Sequence, residues 1–315
     1  MKEGLLKLLK CLACGSGNLI LDVAFRTAEG EVMEGEIRCV ECRKKFPVIR
    51  GVPRFVESDD YVGSFSFEWK IHRTTQIDNV GNTESRSDFF LNTGFKPEEL
   101  SGKMVLDAGV GTGRYADICL DAGAEVYGID LSFSVDSAFE NFGRQQNFHL
   151  LQADILNLPF KQESFDIIYS LGVLHHTKDT KEAFRCLVPL LKPGGTIVVW
   201  VYEQKAYSYI SNRIRKITTR LPKKLLYALC YFAVPLGLIY KIPFIGKIFW
   251  LAVPFSTHKR WKNRVLNTFD WYSPVYQHKH TYPEVYQWFK EGGFVDIDLL
   301  PHSVSIKAKK KVQGN

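Results

Sequence analysis

From residue 204 to residue 264 the chain holds thirteen Lys or Arg and not one Asp or Glu. The rest of the chain carries 28 basic against 34 acidic side chains, so the formal net charge of +7 resides in that one segment. A block of one sign implies a negative partner close by, which mixed charge would not. Membrane-spanning runs are lacking as well. The uncharged stretch 225–240 has 16 residues with Pro235 inside it, too short and too broken for a span. The opening MKEGLLKLLKCLACG has neither an apolar core of signal-peptide length nor a small-residue cleavage site, which argues for a cytoplasmic chain. An even cysteine framework is also missing: of seven cysteines, four stand in two CxxC pairs. That distribution suits a reducing compartment with a metal site better than disulfides. What is present, 315 residues with 45% apolar content, can bury one large core plus an attachment.

The stretch VLDAGVGTGRY (105–115) reads as a buried strand end, a glycine-rich turn and the start of a helix whose apolar face holds Tyr115, Ala116, Ile118 and Cys119. Such a turn lets a ligand approach the backbone and the unpaired helix N–H groups. The dinucleotide fingerprint G-x-G-x-x-G fails, because Arg114 stands at its sixth position. The pattern is D-x-G-x-G-x-G instead. EVYGIDLS then ends a strand at Asp130, about twenty residues on, where an acid can accept ribose hydroxyls. LQADILNLPF, FDIIYSLGVLHHT and LLKPGGTIVVWVY follow in order. These five segments resemble the class I S-adenosylmethionine-dependent methyltransferases over residues 104–202. The resemblance implies S-adenosylmethionine as cofactor. It also implies binding residues Asp107, Ala108, Gly109, Gly111, Gly113, Asp130, Leu131, Asp154, Ile155 and Ser170, with Asp154 beside the adenine amino group. Val110 departs from the Cys or other small residue usual in that pattern and leaves the glycines intact. An ordinary nucleotide-binding α/β domain is the plainer alternative.

Periodicity predicts strands over 104–108, 125–129, 148–152, 165–170 and 196–202, with helices over 112–122, 132–142 and 180–191 between them. Ser132 and Asp179 read as N-caps, and KPGG at 192–195 as a helix stop and turn. A helix over 283–291 and strands over 294–300 and 303–308 complete the expected fold. That fold is α/β, a doubly wound, seven-stranded, mostly parallel sheet. Residues 203–282 interrupt the rhythm as a basic and apolar helical insert or lid within a methyltransferase domain of 104–315. The connector 57–103, rich in aromatics around FSFEWKIHRTTQID, is expected to place a helix over the cofactor site.

Cys11, Cys14, Cys39 and Cys42 have the spacing of a four-thiolate zinc site, with unligated thiols as the plainer reading. Together with CRKKFPVIRGVPRF, residues 1–56 resemble the small zinc-ribbon activator that partners several methyltransferases. A closed site of four sulfurs implies a structural or docking role for Zn2+.

Transfer of an activated methyl needs a nucleophile placed in line and, for a hydroxyl acceptor, a base. His175 and His176 follow the fourth strand, and His278 and His280 precede the last helix; these four are the candidate bases, against caps, core or solvent-facing roles. Basic flanks around Trp, Phe and Leu suit an insert lying on an anionic membrane surface, or a lid packed on the domain without membrane contact. The reading with most support is a methyltransferase for a small hydrophobic, lipid-linked or glycan acceptor, cytoplasmic and peripheral at the inner membrane surface. VLHHT and VVWVYEQ, with the ribbon, also resemble the tRNA wobble-uridine methyltransferases, which makes RNA the second acceptor class. A non-catalytic S-adenosylmethionine-binding module is the third reading.

Overall fold

The computed structural model describes residues 1–56, 61–79, 83–205, 208–240, 242, 244, 246, 254–301 and 304–312. Near the N-terminus, β1 (Leu19–Arg26), β2 (Val32–Cys39), β3 (Lys45–Ile49) and β4 (Val52–Pro53) form an antiparallel meander in that order. Three helices follow: α1 (Gly63–Ile71), α2 (Glu84–Thr93) and α3 (Pro97–Leu100).

The central layer then builds from β5 (Met104–Ala108), α4 (Arg114–Asp121), β6 (Glu125–Asp130), α5 (Ser134–Phe142), β7 (Phe148–Gln152), β8 (Phe165–Leu171), α6 (Thr180–Leu187) and β9 (Leu191–Val201). An insert contributes α7 (Ser208–Thr218), α8 (Lys223–Cys230), α9 (Ala233–Ile239) and α10 (Trp261–Tyr272). The chain returns through α11 (Tyr282–Glu291), β10 (Phe294–Leu300) and β11 (Val304–Lys310). The seven strands lie in the order β10-β11-β9-β8-β5-β6-β7, parallel from β9 to β7, with β11 antiparallel to both its neighbours. Every strand expected from periodicity is present, although residue 303 lies outside the described residues.

Two local expectations need correction. KPGG does not end a helix: α6 stops at Leu187, and a 3-10 turn at Val188–Leu190 carries Pro189, which cannot continue an α-helix. KPGG lies inside β9, where Phe165 pairs with Leu191 and Ile167 with Thr196, so residues 192–195 bulge opposite Asp166. Lys192 Nζ closes that bulge on Asp166 Oδ1 at 2.9 Å. Ser132 lies one residue before Phe133, the N-cap of α5, where its hydroxyl accepts from the Ser134 amide; Asp179 caps α6 through the Glu182 amide at 3.0 Å.

The meander packs on the β7 edge of the main sheet. Leu9 bridges Phe160 and Arg54 bridges Gln152, while the Phe55 amide donates to the Gln152 carbonyl at 2.8 Å. Leu5, Leu9, Ile37 and Phe46 share one buried cluster with Leu106, Ile129, Leu151 and Phe160. Both sheets therefore rest on a continuous apolar core. Arg54 pins the seam, donating to Gln152 Oε1 at 3.2 Å, the Ile49 carbonyl at 3.3 Å and Asp136 Oδ1 at 2.5 Å. Its side chain is only 6% exposed, against 22% for Asp136, so water cannot fully replace the lost partner. Arg54→Ala is expected to lower unfolding free energy by about 3 kcal/mol, read as a shift of the urea midpoint. An unchanged midpoint would show that the seam contributes little.

Candidate active site

The cleft opens at the carboxyl ends of β5, β6, β8 and β9, where strand order reverses around β5. It encloses about 410 Å³. After β5 the backbone turns through Gly109 (φ +102°) and Gly111 (φ +54°), a region open to glycine and strained for other residues. A Cβ on Gly109 would sit 2.3 Å from Val173 Cγ2, so glycine lets β5 and the segment after β8 touch. At Gly111 the nearest neighbour of such a Cβ is Trp69 at 3.8 Å, leaving its backbone open to the cleft. The amides of Gly109 and Val110 both donate to the Ile129 carbonyl, at 2.9 and 2.8 Å.

Asp130 locks this turn. Its Oδ2 accepts from the Gly111 amide at 3.0 Å, and Oδ1 accepts from the Ser132 amide and hydroxyl at 2.9 and 2.7 Å. A carboxylate offers about four acceptor positions, so room remains for a ligand hydroxyl. Burial raises the Asp130 pKa, opposed by those same hydrogen bonds. Leu131, Asp154 and Ile155 also line the cleft, and Asp154 Oδ1 holds its own loop through the Leu156 amide at 2.9 Å.

Several expected residues lie elsewhere. Asp107, Ala108, Gly113 and Ser170 do not line the cleft. Asp107 points into the core and accepts from the Tyr169 hydroxyl at 2.8 Å, with burial pushing its pKa up to about 7. Ser170 is buried and donates to the Ala108 carbonyl at 2.7 Å; Gly113 faces Phe142, 2.8 Å from where its Cβ would be.

Of the four histidines, His176 alone faces the cleft. His175 is fully buried against Tyr202, ring centroids 3.9 Å apart, and burial drives its pKa well down. His280 is bound to Glu284 at 2.8 Å beside Trp288, and the His278 Nε2 is buried without a partner. Consecutive residues of a tight turn diverge, so only one of the 175/176 pair can reach the ligand. His176 Nδ1 lies 2.8 Å from the Tyr276 carbonyl, which can only accept, so Nδ1 carries the proton and Nε2 the lone pair. Burial lowers the His176 pKa, keeping the ring neutral.

Much of the remaining lining comes from the connector helix and the insert, at residues that the motifs did not single out. Phe65, Glu68 and Trp69 of α1 face the cleft, as do Asn263, Asn267, Asp270 and Trp271 of α10. Both sets follow helical spacing, and the polar stripe in α10 (i, i+4, i+7) was the available signal. Tyr202, just past β9, donates to Asp270 Oδ2 at 2.8 Å.

The CxxC turns converge as expected. The sulfurs of Cys11, Cys14, Cys39 and Cys42 all lie within 4.8 Å of one another, with Cys11–Cys42 at 3.4 Å and Cys14–Cys39 at 3.6 Å. Tetrahedral zinc with bonds near 2.3 Å needs sulfurs roughly 3.8 Å apart. The two knuckles are alike: Gly15 and Arg43 each donate from the amide to the carbonyl four residues back, and both take positive φ.

A family model described as a methyltransferase domain matches residues 106–199. The chain is 36% identical over 126 residues to the tRNA U34 carboxymethyltransferase of Idiomarina loihiensis, covering 38% of this chain and 39% of that protein. It is 35% identical over 117 residues to the tRNA (carboxymethyluridine(34)-5-O)-methyltransferase of Arabidopsis thaliana, covering 36% and 28%. Against the ubiquinone biosynthesis O-methyltransferase of Coxiella burnetii it is 33% identical over 128 residues, 39% and 55% of the two chains. Among solved structures, magnesium protoporphyrin IX methyltransferase from Synechocystis aligns with a TM-score of 0.46 at 16% identity, covering 80% of this chain and 98% of that one. The chain thus spans well under two thirds of these curated relatives, and the likeness is one of a shared domain. Residues 106–199 thus match a methyltransferase domain of the S-adenosylmethionine-dependent kind, and the likeness to these relatives lies within it.

Proposed function

We infer that the protein transfers a methyl group from S-adenosylmethionine to a lipid-linked acceptor presented at an anionic membrane surface. The observation that carries the cofactor half is the Gly109–Gly111 turn held open by Asp130 within the cleft. S-adenosylmethionine supplies a methyl already activated by its sulfonium, so the chain must orient an acceptor, exclude water and take a proton. Asp130, Leu131, Asp154 and Ile155 hold the cofactor, and His176 Nε2 accepts the acceptor's proton. Asp130→Ala should weaken S-adenosylmethionine binding by about 1.5–3 kcal/mol in calorimetry, and NAD should not bind. His176→Asn should leave that binding intact and lower label transfer about a hundredfold or more. Comparable NAD affinity, or full transfer by the His176 variant, would refute these assignments.

The membrane half rests on the insert's outward face. Leu226, Cys230, Val265, Phe269 and Tyr272 bury a small core, yet Ile217 (67%), Phe232 (59%) and Leu238 (66%) remain exposed. Arg213, Lys216, Arg220, Lys223 and Lys224 are exposed on α7, α8 and the loop between them. No helix among the described residues is long and apolar enough to cross a membrane, which fits a surface contact. The continuation KIPFIGKIFWLAVPF falls largely outside the described residues. Binding to anionic vesicles should exceed binding to neutral ones, at about 1 kcal/mol per basic residue at the surface, and weaken with salt. Phe232→Ser with Leu238→Ser should reduce vesicle pelleting without changing cofactor affinity. The names of the Idiomarina and Arabidopsis relatives favour tRNA as the second reading. Indifference to anionic vesicles with retention of tRNA at moderate salt would decide for it.

The four cysteines fit one structural Zn2+. Elemental analysis should find one zinc per chain. Because the meander shares its core with the main sheet, Cys39→Ser should lower the melting temperature of the whole chain. Zinc-free protein with an unchanged melting temperature would remove the metal.

A further inference from the structure

The geometry points to a second subsite in the cleft, built from Glu68, Tyr202, Asn263, Asn267 and Asp270 and walled by Trp69 and Trp271, that takes a neutral, hydroxyl-rich group such as a sugar ring. This rests on the methyltransferase reading and names the acceptor's chemistry.

Glu68 is the unexplained group. Its side chain is buried at 1% exposure, lines the cleft, and leaves Oε2 without a hydrogen-bond partner. Such a group costs free energy unless a ligand completes it. Burial first, and the nearby Asp270 charge second, raise its pKa well above the carboxylate range, so the carboxyl is protonated and can donate. Asp270 has one oxygen on the Tyr202 hydroxyl at 2.8 Å, and its charge is felt by buried Arg215. Arg215 is itself spent on the carbonyls of Trp271 and Pro274, at 2.9 and 2.6 Å. With His176 neutral as well, Asp270 is the charged member of this subsite, and buried Arg215 behind it opposes that charge.

A balanced site favours a neutral ligand, since either sign would leave a buried charge unpaired. Apart from Arg114 at the glycine turn, no Lys or Arg lines the cleft among the described residues, so a carboxylate or phosphate acceptor finds no partner. A sugar hydroxyl both donates and accepts. Protonated Glu68 donates, Asp270 accepts, the Asn263 and Asn267 amides do both, and indole faces suit the apolar face of a ring. In the transfer, the hydroxyl oxygen bonds the methyl carbon, the carbon–sulfur bond breaks with its electron pair left on sulfur, and the hydroxyl proton passes to His176 Nε2.

Octyl glucoside, octylamine and octanoate share a tail and differ in headgroup charge, so each is titrated by calorimetry into the full chain saturated with S-adenosylhomocysteine. Octyl glucoside should bind about tenfold or more tighter than either charged probe. Glu68→Gln, a neutral donor, should keep that binding within about threefold, whereas Glu68→Ala should lose about tenfold. Thermal melts and S-adenosylhomocysteine affinity serve as folding controls for both variants. Failure of S-adenosylhomocysteine to bind the wild-type chain would sink the methyltransferase reading itself. Normal cofactor binding would leave that reading intact, with three results overturning the subsite alone. These are tightest binding by octylamine with its loss in Glu68→Gln, tightest binding by octanoate, and no binding of octyl glucoside.

Discussion

The bond from the Gly111 amide to Asp130 Oδ2, 3.0 Å long, is the constraint on which the site depends. A turn with glycines at 109, 111 and 113 has large backbone freedom, and that freedom must be removed before a ligand can meet a fixed surface. Two amides on the Ile129 carbonyl and one on Asp130 remove it, and both acceptors lie at the end of β6. The same strand end thus shapes the turn and presents the carboxylate. Ser132 holds Oδ1 from the other side, so Asp130 cannot rotate to relieve one partner without losing another.

The opposite wall is assembled over a longer range. Phe67 of α1 enters the insert's small core, with its ring 5.7 Å from Phe269 of α10 and 5.8 Å from Tyr227 of α8. His72 adds a 2.8 Å hydrogen bond to the Tyr227 hydroxyl. With Phe67 committed to that core, its neighbours Glu68 and Trp69 are turned to the cleft. The insert therefore reaches the site through α1 as well as through α10. Contacts within the insert and contacts around the ligand are coupled, because α1 serves both.

How much of this was legible follows from which signals are local. The sheet could be read because each strand is a short apolar run bounded by glycine or charge, and parallel strands buried on both faces leave little ambiguity. The glycine turn and Asp130 were legible because their spacing is itself the constraint. The facing of Asp107 was not legible because a motif reports position and not direction; strand alternation puts it with Val105, on the side of Tyr169. The KPGG bulge was hidden because a proline–glycine string signals a break without saying whether a strand continues past it. His175 and His176 could not be separated, since only the backbone turn decides which ring meets the cleft. Glu68 lay unnoticed in an aromatic connector. An acid between Phe67 and Trp69 on a helix with Phe65 and His72 to either side is a buried charge in prospect, and that was its signal.

Charge is segregated by range. The exposed cations of α7 and α8 and the segment between them act outward, over about 8 Å at physiological salt, and can draw in an anionic surface without discriminating what it carries. Inside the cleft the balance runs the other way: Arg215 is turned inward and consumed by two carbonyls and Asp270's field, Glu68 is protonated, and His176 is neutral. Under the proposed function, attraction over distance falls to α7 and α8, whereas selection at contact falls to α1, α10 and the turn after β8. A cleft that shared the insert's positive field would hold any anion that the surface attracts. One that is locally neutral can hold an acceptor by hydrogen-bond pattern and ring faces while its charged carrier stays outside.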